Sequence, residues 1–101
     1  MSDGVLMIDS KGSVTYINTS AALMLDVDAA ALTGRLYANL LDSNDDNSDF
    51  HQFVLDAVYD KEKIHKGVVA YKIGDERKKL STTTSYIEST NLRYNKMVFL
   101  A

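Results

Sequence analysis

The sequence has no cysteine, no proline and no tryptophan among its 101 residues. Without cysteine there is no disulfide, no thiolate nucleophile and no thiolate metal centre. The lack also fits a reducing compartment, so a cytoplasmic location is expected. No apolar run approaches the ~18 residues that a membrane-crossing helix needs. Met1–Ser2–Asp3 lacks the basic start and the cleavage-type end of a signal peptide. An excess of positive charge is missing too: 11 Lys+Arg stand against 14 Asp+Glu, a net charge of −3. Neither a nucleic acid nor direct membrane contact is expected of such a balance, since both need a clustered positive field. The sequon Asn18–Thr19–Ser20 therefore reads as a structural signal rather than a glycan acceptor.

What is present is an average globular composition, with 46% apolar and 25% charged residues. The length allows one domain, residues 1–101, and no linker-like or repeated segment divides it. Val5–Ile8 is a short continuous apolar run, as in a strand buried on both faces. Asp9–Ser10–Lys11–Gly12 supplies a turn whose glycine permits positive φ, and Ser13–Ile17 is the β-branched and aromatic return strand. Asn18 then caps a short helix lined by Ala21, Ala22, Met24 and Leu25, whose small residues allow close approach to a sheet. Asp28 caps a second short piece over Ala29–Leu32, with Gly34 past its end. Leu36–Leu41 offers another helical turn.

The run from Asp42 to Asp49 has no apolar residue and reads as a solvated loop. Asp42, Asn44 and Asp46 alternate as in a calcium loop. However, Asn47 stands where the sharp-turn glycine belongs and Phe53 where the bidentate glutamate belongs, so no metal site is expected. Phe50, Phe53, Val54, Ala57 and Val58 share one helical face, with Asp49 and Gln52 as a capping box and fraying near Asp60–Lys63. Three strands follow: Gly67–Ile73, Lys79–Ile87 after a turn at Gly74–Asp75–Glu76, and Met97–Ala101 after a loop at Thr90–Lys96. The final strand ends with the chain, as in a domain excised from a longer protein. Short connections between these elements argue for an antiparallel sheet with its helices on one face, an α+β arrangement.

This order, with these residues, resembles the PAS sensor-domain family. The resemblance rests on Asp3–Gly4, the apolar Val5–Ile8, Asp9 and Gly12, Val14–Ile17, Asn18, Ala21–Ala22, the Leu32–Arg35 step and the later hairpin "YKIGDERKKLSTTTSYIES". It departs in having Thr19 where family members often have proline. The resemblance implies a five-stranded antiparallel sheet of order 2-1-5-4-3, with short helices and one longer helix packed on one face. It also implies a space between sheet and helices for a ligand, a cytoplasmic signalling role, and an output domain in the same polypeptide, such as a kinase or a cyclase.

Alternation in "KLSTTTSYI" puts Leu80, Thr82, Thr84 and Tyr86 on one strand face and Ser81, Thr83 and Ser85 on the other. By analogy with the family, the first set borders the internal space, joined by Val68 and Ala70 from the neighbouring strand and by Val54 and Ala57 from the long helix. The two threonine hydroxyls would orient a small polar ligand; the competing reading is a packed core in which they bond to backbone. The identity of any cofactor stays open. Thiol-adduct flavin chemistry is excluded by the missing cysteine. Haem is disfavoured because His51 and His65 read as surface residues. An enzyme is disfavoured because no nucleophile–base set is visible. The outer sheet face then carries Ser81, Thr83, Ser85 and alternate members of Met97–Leu100, and because both faces of Val5–Ile8 are apolar it is expected to be covered by a homodimer partner or by flanking helices. A ligand-free homodimerisation module is the main alternative to a sensor.

Overall fold

The computed structural model describes residues 3–39, 45–60, 64–88 and 94–101. Its strands are β1 (Gly4–Asp9), β2 (Val14–Ile17), β3 (His65–Ile73), β4 (Glu76–Glu88) and β5 (Tyr94–Leu100). They form one antiparallel sheet of order β2-β1-β5-β4-β3. The helices are α1 (Thr19–Leu25), α2 (Ala29–Leu32) and α3 (Ser48–Tyr59), the last preceded by a 3-10 turn at Asp45–Asn47.

The first hairpin closes as its residues dictate. The Asp9 carboxylate accepts from the amides of Lys11 and Ser13, both at 2.9 Å, and Gly12 sits at φ +89°. The β1–β2 register slips between Met7 and Ile8, a bulge inside the strand pair. Asn18 does more than cap. Its Oδ1 accepts from Ala21 N at 2.8 Å and also from Val5 N at 3.0 Å, and its Nδ2 donates to the Asp3 carbonyl. One side chain thus joins the start of α1 to the start of β1. Gly4 makes that junction possible, because a Cβ there would lie 3.0 Å from Ala21 Cα. Asp28 caps α2 through Ala30 N at 3.0 Å, and Gly34 takes φ +87° just past its end. The β3–β4 hairpin turns on Gly74–Asp75, with Gly74 at φ +60°, where a two-residue type II′ loop needs it.

The middle of the chain departs from expectation. Part of the acidic run is structured: the 3-10 turn holds Asp45–Asn47, and α3 starts at Ser48. Asn47 is buried because its amide donates to the Lys72 carbonyl at 2.9 Å and accepts from Lys72 N at 2.7 Å. The expected Asp49–Gln52 capping box does not form; Gln52 bonds Asp56 one turn on, at 2.8 Å. Asp42 and Asn44, like Leu40–Leu41 and Lys61–Lys63, lie outside the described residues. The late strands are longer than sequence patterning suggested, because ladder pairing carries polar residues such as His65, Glu76 and Asn95 along with the apolar ones.

Among the described residues, α1, α2 and α3 all serve one face. Leu6, Ile8, Val14, Leu25, Phe50, Val54, Val58, Leu80, Val98 and Leu100 belong to one buried cluster between them and the sheet. Among the described residues no helix is long and apolar enough to cross a membrane.

Candidate functional site

Alternation from the ladder decides which side chains reach the helix–sheet interior. On β4, Leu80, Thr82 and Thr84 are buried and Tyr86 is half-buried on the helix side. On β5 the matching residues are Lys96, Val98 and Leu100, paired with Tyr86, Thr84 and Thr82. Val54 and Ala57 of α3 are fully buried above this surface. Six of the eight residues proposed from the sequence therefore do share one interior.

Val68 and Ala70 do not. Val68 is 67% exposed, and both residues lie on the outer face, opposite Ser81 and Lys79. On β3 the neighbours of Val68 that face inward are Gly67 and Val69, which pair with Thr82 and Leu80. The cause is a run, Val68–Val69–Ala70, that is apolar on both faces, so composition could not tell the inner residues from the outer ones. A one-residue change of register exchanges the two sets.

The hydroxyls in this interior are engaged. Thr82 Oγ1 donates to the Leu80 carbonyl at 3.2 Å, and Thr84 Oγ1 accepts from His65 N at 3.1 Å. Among the described residues none of the β4 hydroxyls bonds a histidine ring.

Three residues that sequence reasoning missed dominate the polar chemistry. His51, expected on the surface, is fully buried. Its Nδ1 shares a 2.8 Å hydrogen bond with the Tyr37 hydroxyl, and its ring meets those of Tyr37, Phe50 and Tyr71 edge-on. Among the described residues its Nε2 has no hydrogen-bond partner. Burial pulls its pKa down to about 4. The same burial holds Tyr37 well above the ordinary phenol range and, with the nearby Asp26 charge, pushes Tyr71 up to about 12. The Tyr71 hydroxyl donates to the Leu25 carbonyl at 2.7 Å, tying β3 to the end of α1.

Lys96, expected in a loop, is buried on β5. Its Nζ donates to the Asp60 carbonyl at 2.8 Å and lies 5.6 Å from the centre of the Tyr86 ring. Burial lowers its pKa and the Asp60 charge acts in the opposite direction. His65 also belongs to this corner, on β3 rather than in a loop, with Nε2 3.4 Å from the Asp60 carboxylate. Signals for two of the three were present. His51, Leu55 and Val58 make a second buried stripe on α3, beside that of Phe50 and Val54. Lys96 keeps step with Val98 and Leu100 at a period of two.

A family model for the PAS fold matches residues 1–90. The chain belongs to the PAS family. No curated protein matches it in sequence. Among solved structures, the PAS domain of histidine kinase ThkA superposes with a TM-score of 0.73 at 17% identity, covering 99% of this chain and 98% of that one. The PAS domain of Bordetella pertussis BvgS gives 0.72 at 9% identity, over 97% of this chain and 75% of the other. A domain of an HTR-like protein from Haloarcula marismortui gives 0.68 at 17% identity, over 97% and 94%. At such identities the likeness is one of fold. In this PAS domain the strand order matches the family expectation, and the interior between α3 and the inner sheet face is where its unusual chemistry lies.

Proposed function

We propose that this PAS domain is the sensory unit of a cytoplasmic signalling protein. It would respond to a small ligand or partner held against α3 and the inner face of β4, and pass the change through β5 to an output domain. The observation that carries this reading is the 2.8 Å bond from Lys96 Nζ to the Asp60 carbonyl. It joins the C-terminal end of α3, which forms one wall of the interior with Val54 and Ala57, to the last strand. A cation at a helix C-terminus is favoured by the helix dipole, so the link opposes movement of α3 away from β5. An occupant that preferred a displaced α3 would weaken that link and shift the population of arrangements. Thr82, Thr84 and Tyr86 are the polar groups such an occupant would meet.

Native mass spectrometry of the purified domain, followed by the same measurement on Thr82→Val and Thr84→Val, tests the ligand. A co-purifying small molecule that disappears in these variants supports the reading, and its persistence in both removes the threonines from the site. Replacing Lys96 with methionine tests the link. The expected result is faster hydrogen exchange at the end of α3 with a loss of overall stability on the order of 1 kcal/mol, since the Asp60 carbonyl loses a donor. Unchanged exchange there would end the coupling argument.

A second reading has its own support. Tyr16 is 49% exposed, Phe99 38% and Ile87 47% on the outer sheet face, beside the half-buried Val5, Met7 and Met97. Such a surface suits a homodimer interface or a flanking helix. A ligand-free dimer, seen by analytical ultracentrifugation and abolished by Phe99→Glu, would favour it. We infer no catalytic role for the β4 threonines, because their hydroxyls are committed to backbone groups and, among the described residues, neither bonds a histidine ring.

A further inference from the structure

The two edges of the sheet are finished differently. At the β2 edge, Val14 N donates to the Arg35 carbonyl at 2.8 Å, Gly34 N donates to the Val14 carbonyl at 2.7 Å, and Ser13 bridges Leu36. Among the described residues, the β3 edge is capped at one point. The Asn47 side-chain amide bonds both the N–H and the C=O of Lys72. Peptide groups along a strand point alternately to either side. Lys72 faces away from β4, so Ala70, Val68 and Lys66 face away as well. Ser81 confirms the alternation: it exchanges both its bonds, at 3.0 Å each, with Ala101 across β5, and so makes none with its β3 partner Val68. Val68, Ala70 and Lys66 are exposed, and among the described residues their backbone groups have no partner.

We propose that this open edge docks an extended acidic segment of a partner protein by adding a sixth strand beside β3. Asn47 already shows the mode, since its amide engages Lys72 as a peptide group of a neighbouring strand would. Next to it lies a groove of about 190 Å³ lined by Asn47, Val68, Val69, Ala70, Lys72 and Arg77, with Asp46 and Asp49 on its helix side. On the outer face Lys72 pairs with Arg77 and Ala70 with Lys79, and Lys66 stands further along the same face. A strand added here would place alternate side chains beside these four cations and the others toward the groove. Alternating carboxylate and small apolar residues fit both sides. A second copy fits less well, because it would bring the same cations together; edge lysines are a common guard against self-pairing. This site is separate from the helix–sheet interior and does not depend on a ligand there.

The test uses a capped hexapeptide of alternating glutamate and valine, titrated into the domain by calorimetry, with hydrogen exchange read residue by residue. Binding with new protection at the amides of Lys66, Val68 and Ala70 is expected. Ala70→Pro removes one outward N–H without touching the β4 ladder, as edge positions allow, and is expected to weaken binding about tenfold. A peptide N-methylated at its central residues should lose affinity likewise, which keeps the test decisive if the proline variant does not fold. Lys72→Glu with Arg77→Glu should reverse the preference toward a lysine–valine peptide. Equal binding of the acidic and basic peptides would overturn the proposal, as would protection confined to the interior. Protection of the β3 edge that grows with protein concentration alone would assign the edge to a second copy instead.

Discussion

α1 and α3 lie on the same sheet face and meet it in opposite ways. α1 approaches β1 backbone to backbone, with Gly4 against Ala21 and the Asn18 side chain bonding both elements. α3 stands off on large side chains, with Phe50, Tyr37 and Tyr71 around a buried histidine and a buried lysine at its far end. A contact between backbones has one arrangement, because no rotamer can adjust. A contact made by aromatic rings and single polar bonds has room for another arrangement. The N-terminal hairpin with α1 is accordingly the more tightly fixed part of this domain, and α3 is the part that the proposed sensing would move.

Truncation is expected to separate the two most widely. Phe50→Ala empties the centre of the α3 contact and should cost about 3–5 kcal/mol in chemical denaturation. A much smaller loss would mean that α3 collapses onto the sheet and that its contact is soft. Acid titration probes the same region. Unfolded His51 takes up its proton near 6.5, and folded His51 only near 4. Its contribution is therefore intact above about pH 6.5, falls as the pH drops toward about 4, and is constant below that. The total loss approaches about 3 kcal/mol from this group. Comparing denaturation curves across that range with His51→Leu isolates it, since the variant should lose this part of the slope.

On the α1 side, Asn18→Ala removes the cap together with one bond to β1 and one to Asp3 just before it, and should cost about 2 kcal/mol. Its effect should appear as early exchange at Val5 and Ala21, with α3 unchanged. Gly4→Ala is expected to cost about 1–2 kcal/mol, because the new methyl would press on the Ala21 backbone. If Gly4→Ala were tolerated without loss, the close approach would not be the fixed contact argued above.

Local chemistry carried much of this. The Asp9–Gly12 turn, the Asn18 and Asp28 caps, the Gly34 terminus and the alternation of Leu80, Thr82, Thr84 and Tyr86 each follow from residues a few positions apart. The strand order was legible only because those signals occur together in the PAS pattern. Sequence could not choose between Val68 and Val69 for the interior, since both are apolar and a strand's two faces differ only by its register with the next. It could not bury His51 or Lys96 either. A polar side chain is stable inside when a partner distant in sequence reaches it, and Tyr37 and the Asp60 carbonyl come within hydrogen-bond distance only when the chain is folded. What lies close along the chain was decided by sequence; which polar groups the interior accepts, and which edge stays open, were decided by the tertiary fold, because both depend on pairings that no local signal specifies.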